Sequence, residues 1–199
     1  TPVPAQVHKA QELARERRLA DRVRFAVGDY TATAVPDDSF DVAWALESSC
    51  HAEDKQRFYQ EMFRILRPGG RLVVADYVRS NAVLDEADER LVREWLEGWS
   101  IPNIVTPETH HRFAASAGFE DVAVRDFTGY TFRSLRRLYK LSWLGVPTDF
   151  VLSRLRLRST VQHGNVVGSR RQFQALRRGC WFYGVVVGRK AAGTIRVLG

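Results

Sequence analysis

Between Phe40 and Asp76 the chain switches twice between strand-like and helix-like patterning. Phe40–Leu46 is a short apolar run, the signature of a strand buried on both faces. From Glu53 to Leu66, Phe58, Met62, Ile65 and Leu66 recur at helical spacing against Asp54, Lys55, Arg57 and Glu61, and Pro68-Gly69-Gly70 stops the helix. Leu72–Ala75 is a second buried strand, closed by Asp76. Strands alternating with helices predict a doubly wound α/β sheet, in which ligands bind at the carboxyl ends of the strands.

The flanks continue the alternation. Pro4–Leu19 has a helical face of Val7, Ala10, Leu13 and Ala14, and Val23–Val27 reads as a strand running into Gly28-Asp29. Helices are predicted over Leu84–Trp95 and Pro107–Ala117, the second closed by Gly118 as a left-handed cap. Val122–Phe127 and Trp181–Gly188 read as strands. Thr131–Arg178 reads as mainly helical, broken at Gly145-Val-Pro147 and His163-Gly-Asn165.

Chemistry-bearing residues collect where strands end. Asp29, the run Glu47-Ser48-Ser49-Cys50-His51, and Asp76 are expected on one rim of the sheet. His51 follows a central strand and has two readings, a helix-start residue or a base beside a substrate. A carboxylate at Asp76 could hold its imidazole in one tautomer. Ser49 reads as the cap of the following helix, Cys50 as packing, and His110-His111 as a surface pair lacking a third metal ligand. No metal site is expected.

Charge is uneven. Of the net +7, the segment Thr128–Arg178 carries +10, with eleven basic residues against Asp149, leaving −3 for the remainder. That segment is open to three explanations: a solvated helical face, recognition of an acidic or diphosphate-bearing substrate, or docking to nucleic acid or an anionic membrane. Two cysteines, Cys50 and Cys180, build no disulfide framework, and a cytoplasmic location is expected. No apolar run reaches the ~20 residues that span a bilayer.

The stretch GDYTATAVPDDSFDVAWALESSCHAEDKQRFYQEMFRILRPGGRLVVADY resembles the class I S-adenosylmethionine-dependent methyltransferases, nearest their small-molecule branch of sterol, tocopherol and natural-product enzymes. The combination of the Leu-Arg-Pro-Gly-Gly turn with the Ser-Phe-Asp strand entry carries the likeness. The resemblance implies that Asp29 accepts from the adenine amino group of S-adenosylmethionine, and that Tyr30 packs beside the ring. It implies that Leu46, through its carbonyl, and Glu47 meet the methionine end. Thr1 falls where many relatives carry the acid that grips the ribose, and the family's glycine-rich first-strand motif is missing.

The implied fold is a Rossmann-like sheet of order 3-2-1-4-5-7-6 whose first two strands are absent from this chain. A helical lid is inserted before the last strand. The organisation read this way is a partial cofactor-binding core over 1–130, a basic helical lid or acceptor region over 131–178, and the last core strand and tail over 179–199. On this reading about 80–100 residues precede Thr1 in a domain of ordinary size, or a second copy of the chain completes the sheet. The tail Thr194–Gly199 reads as frayed, with some likeness to a first strand. The lid aromatics, Trp95, Trp99, Phe132, Tyr139, Trp143, Phe150 and Phe173, divide between core and acceptor surface. The implied activity is methyl transfer to oxygen, nitrogen or carbon of a small, largely apolar acceptor. His51 and Asp76 are its catalytic pair, and no nucleic-acid partner is expected. The competing reading is a non-catalytic module that docks through the basic segment.

Overall fold

A computed structural model describes residues 1–80, 84–154 and 160–192. Thr194–Gly199 and the side chains of Phe150, Arg154, Arg156 and Arg158 lie outside the described residues. Among the described residues four strands form one sheet: β1 (Phe40–Leu46), β2 (Leu66–Arg79), β3 (Phe119–Asp126) and β4 (Trp181–Lys190), in the order β1-β2-β4-β3. This is the 4-5-7-6 half of the expected sheet. β1 and β2 are parallel, with Leu46 opposite Ala75, whereas β4 runs antiparallel to both of its neighbours.

The helices are α1 (Pro4–Glu16), α2 (Lys55–Ile65), α3 (Glu86–Gly98), α4 (Pro107–Ala117), α5 (Thr128–Arg154) and α6 (Thr160–Arg177). Asp54 caps α2 by accepting from the Arg57 N–H, so Ser49 is not the cap. Gly118 closes α4 at φ 106°, as its position after Ala117 predicts. One core layer packs Phe58, Met62 and Ile65 of α2 against Ala43, Ala45, Leu72 and Val74 of the sheet. A second packs Val92 and Trp95 of α3 with Ala175 of α6 against Tyr77, Trp181 and Tyr183.

Four expectations are corrected by the packing. β1 is buried on one face only: Ala43 and Ala45 are covered, whereas Phe40, Val42, Trp44 and Leu46, two residues apart along the strand, are exposed, Trp44 at 71%. Helices α3 and α6 cover that face of the sheet at β2 and β4 and do not extend over β1. Residues 23–27 are not a strand. A strand exists through its ladder, and among the described residues none pairs with this segment.

Helix α5 runs through Gly145–Pro147, and α6 runs through His163–Asn165. The glycine in the second stretch serves contact rather than termination. A Cβ on Gly98 would lie 2.6 Å from the Gly164 carbonyl oxygen, so α3 and α6 meet backbone to backbone. Gly98→Ala is therefore expected to cost about 1–3 kcal/mol by forcing the helices apart. A urea melt of the variant, read against Gly129→Ala, where nothing lies within 4 Å of the added Cβ, checks this.

The fourth correction is His110. It is buried, with Nδ1 2.8 Å from the Tyr59 hydroxyl, and only His111 of the pair is exposed. Burial lowers the pKa of His110 to about 4, with a smaller push from the Lys55 charge, so it is neutral at physiological pH.

Candidate active site

The carboxyl end of β1 opens on a cavity of about 1150 Å³. Its walls include Thr1, Asp29, Tyr30, Glu47, Ser48 and His51, so residues from three separate stretches meet there. Leu46 and Asp76 are not on the wall: Leu46 projects from the open face of β1, and Asp76 is buried. A smaller cavity of about 390 Å³, between α1 and residues 20–25, holds none of the residues singled out from the sequence.

Asp29 follows Gly28 in a tight turn. Its Oδ1 accepts from both the N–H and the hydroxyl of Thr31, at 2.7 and 2.8 Å, and these bonds hold its carboxyl below the usual range. Oδ2 takes no hydrogen bond among the described residues and faces solvent, an acceptor oriented by its partner oxygen and open to a ligand N–H. Tyr30 stands beside it, its hydroxyl donating to the Ser48 carbonyl and its ring edge-on to Phe58. Burial raises the Tyr30 phenol to about 12, so it stays a donor. Thr1 spends its hydroxyl on Gln6.

Glu47 turns the chain out of β1 at φ 46°, a left-handed conformation that costs a non-glycine residue about 1–2 kcal/mol. Its N–H donates to the Ala75 carbonyl at 2.8 Å. Its carboxylate accepts from two phenols, Tyr77 at 2.9 Å and Tyr183 at 3.0 Å. Both tyrosines titrate far above their ordinary value, chiefly through burial and then through the Glu47 charge. A carboxylate gripped in this way on a cavity wall can face a cationic ligand group or accept a proton.

Nothing in the sequence singled out the two phenols. Tyr77 and Tyr183 are cross-strand partners in the β2–β4 register, and that register is invisible before the sheet is assembled.

Asp76 does not hold His51. Its Oδ2 accepts from the Ser49 hydroxyl at 2.6 Å and the Cys50 N–H at 2.8 Å, and its Oδ1 accepts from its own neighbour, Tyr77 N–H. The expected catalytic pair is thus separated, and Asp76 acts on the turn that carries His51. The His51 imidazole lies instead with Nδ1 3.3 Å from the Ser100 carbonyl. A carbonyl can only accept, so this contact selects the Nδ1-protonated tautomer and leaves the Nε2 lone pair free. Cys50 is buried with its thiol pushed well up by burial and by the Asp76 charge, which suits packing and not nucleophilic attack.

The lid aromatics divide. Trp95 is fully buried, Tyr139 stacks on Phe173 with centroids 4.8 Å apart, and Trp143 is half exposed beneath the Arg170 guanidinium. The basic segment is partly neutralised within the fold: Arg171 pairs with Glu94 and Arg178 with Asp88, both on α3. Arg133, Arg136, Arg137 and Lys140 of α5 are exposed. Among the described residues no cluster of metal-ligating side chains forms, and no helix is long and apolar enough to cross a membrane.

A parallel strand pair, a polar turn after β1, and a terminal antiparallel strand inserted beside β2 define a Rossmann-like α/β fold. A geranyl diphosphate C-methyltransferase from Streptomyces coelicolor A3(2) superposes with a TM-score of 0.70 at 20% identity, over 96% of this chain and 63% of that one. Residues 1–74 match the family described as a methyltransferase domain. The 27-O-demethylrifamycin SV methyltransferase of Amycolatopsis mediterranei is 38% identical over 128 residues, 63% of this chain and 46% of that protein. The 2-methyl-6-phytyl-1,4-hydroquinone methyltransferase of Synechocystis sp. is 36% identical over 121 residues, 59% of this chain and 34% of that protein. Over its first 74 residues the chain is similar to the methyltransferase-domain family, and it shares the fold of the solved neighbour. It spans less than half the length of these curated relatives.

Proposed function

We propose that the protein transfers a methyl group from S-adenosylmethionine to a small, largely apolar acceptor in natural-product or isoprenoid metabolism. The observation that carries this reading is the meeting of Asp29, Tyr30, Glu47 and His51 on one cavity at the carboxyl end of β1. These residues fit the cofactor. The free Oδ2 of Asp29 suits an exocyclic amino group, Tyr30 offers an aromatic edge, and the Glu47 carboxylate suits an ammonium. When bound, the cofactor supplies an electrophilic sulfonium methyl. The chain's own residues orient the acceptor, exclude water and take its proton. His51 is the proposed base, with Nε2 toward the cavity.

Three further points belong to this reading. The acceptor is a small molecule and not a nucleic acid, which the internal pairing of Arg171 and Arg178 supports. The protein acts in the cytoplasm. The free edge of β1 is paired in the working protein by further strands, either of the same polypeptide, as the greater length of the relatives suggests, or of a second copy of the chain.

Calorimetry with S-adenosylhomocysteine tests the cofactor assignment. Asp29→Asn keeps the Oδ1 contacts to Thr31 but puts an amide donor where Oδ2 was. Affinity is expected to fall about tenfold or more, the effect of one charge-assisted hydrogen bond. Equal affinity would remove Asp29 from the cofactor site.

A second reading rests on α5, where exposed Leu138 and Leu141 lie among Arg133, Arg136, Arg137 and Lys140. This is the pattern of a helix that rests on an anionic membrane surface. Binding to anionic vesicles that fades with salt, in a protein without methyl transfer, would favour it.

A further inference from the structure

Lys55, the first residue of α2, is 4% exposed. Its ammonium donates to three backbone carbonyls: Cys50 at 3.2 Å, Ala52 at 3.0 Å and Asn103 at 2.9 Å. Two of these belong to the turn that carries His51, and the third to the segment that follows α3. The same two segments touch at His51 Nδ1 and the Ser100 carbonyl, and at the Asn103 side-chain amide and the Glu53 carbonyl. Among the described residues, Lys55 alone bonds both segments with a single group. Its three N–H bonds match the three donors of an ammonium, and each points at a carbonyl that a hydrophobic side chain would leave unsatisfied.

We infer that Lys55 is a positioning residue that clamps the His51 turn to the Ser100–Asn103 segment and so fixes the imidazole against the Ser100 carbonyl. The inference rests on the reading of His51 as the base, but the clamp itself is a property of the fold. A neutral amine has two N–H donors and a lone pair. Loss of the proton therefore removes one of the three bonds and sets a lone pair against a carbonyl oxygen, which opens the clamp.

The charged state is within reach of titration. Burial lowers Lys55 from its ordinary 10.5 to about 8, opposed by its electrostatic interactions with the Cys50 thiol and the Asp76 carboxylate. The titratable groups around it are Cys50 in the turn, Asp76 on β2 and His110 on α4. The Cys50 thiol is held protonated and His110 neutral, so Asp76 is the facing carboxylate. Asp76 is itself bonded to Ser49 and Cys50 N–H rather than to the ammonium.

The sign of the linkage gives this clamp a signature. Between about 8 and 10.5 the unfolded chain keeps the Lys55 proton and the folded chain has released it. The unfolded state binds more protons in that window, so this group makes stability rise with pH there, while the clamp loosens. A residue that merely supported the fold would move both in the same direction.

Hydrogen exchange read by mass spectrometry tests the inference on the whole protein. The amides of His51, Ala52 and Ile101 are hydrogen-bonded to Ser48, Ser49 and Leu96. In wild type their protection is expected to fall about tenfold as pH rises through 8, with β2 and β4 unchanged or better protected. Lys55→Met, of similar shape without a donor, is expected to show the low protection at every pH. It should also lack the alkaline fall in methylation rate expected of wild type near pH 8. The inference is overturned by pH-independent protection in wild type, by a variant with unchanged protection, or by loss of protection spread evenly over the sheet. Should Lys55→Met fail to fold, the wild-type series decides alone. Full activity in His51→Ala would overturn the base reading and leave the clamp standing, because amide protection does not depend on turnover.

Discussion

Asp76→Ala is expected to destabilise the protein by about 3 kcal/mol or more. The carboxylate is 2% exposed and accepts the Ser49 hydroxyl, the Cys50 N–H and the Tyr77 N–H. Its removal leaves buried donors without a partner, at about 1–3 kcal/mol each. Asp76→Asn keeps an acceptor for one side of this set and should lose less. Urea melts of both variants give the comparison. An alanine variant within about 0.5 kcal/mol of wild type, the range of ordinary surface changes, would show that the carboxylate does not organise the turn.

His51→Ala is expected to slow methyl transfer by roughly 10²-fold or more while leaving S-adenosylhomocysteine affinity unchanged. The imidazole contributes little to the fold: it is exposed, and its one hydrogen bond among the described residues is the 3.3 Å approach to the Ser100 carbonyl. A large effect on rate with none on melting temperature would therefore belong to chemistry. Single-turnover assays with the native acceptor separate this from a change in binding. A variant as fast as wild type would return His51 to the part of a helix-start residue. The test does not depend on Asp76 pairing with the ring, since that carboxylate serves the turn instead.

The two results are linked through the run Glu47-Ser48-Ser49-Cys50-His51. Most of its polar groups hold the turn in place. Ser49 and Cys50 tie to Asp76, the Cys50 and Ala52 carbonyls tie to Lys55, and the Glu47 carboxylate is gripped by Tyr77 and Tyr183. Ser48, His51 and one side of Glu47 remain toward the cavity. A run of five chemistry-bearing residues thus contains a scaffold and three residues on the cavity wall.

Local rules made much of this legible beforehand. The helical spacing of Phe58, Met62 and Ile65 defines α2, because burial of one stripe is decided within the helix itself; β2 begins at Leu66 and runs through Pro68-Gly69-Gly70, earlier than the turn predicted there. Gly118 announces the end of α4 because few residues other than glycine readily take φ 106°. That Asp29, Glu47 and His51 would meet on one cavity wall was legible from the strand-end rule for Glu47 and His51, whereas Asp29 reaches the wall from a loop with no strand before it.

What depends on partners far along the chain was decided by the tertiary structure. Whether β1 is covered on one face or two is a matter of which helices reach it, and residues 23–27 lack the neighbour that would make them a strand. Gly164 reads as a break in isolation and becomes a contact because Gly98 faces it. His110 reads as surface until Tyr59 meets it in the core. The orienting group for His51 is a backbone carbonyl 49 residues away, the Lys55 clamp reaches 48 residues, and the phenols on Glu47 come from 30 and 136 residues away. Patterning fixes which face of an element is apolar, through a period of 2 or 3.6 that any short stretch displays. Hydrogen-bond pairing is fixed only when register and direction bring donor and acceptor within 3 Å or so, and no local period encodes that distance.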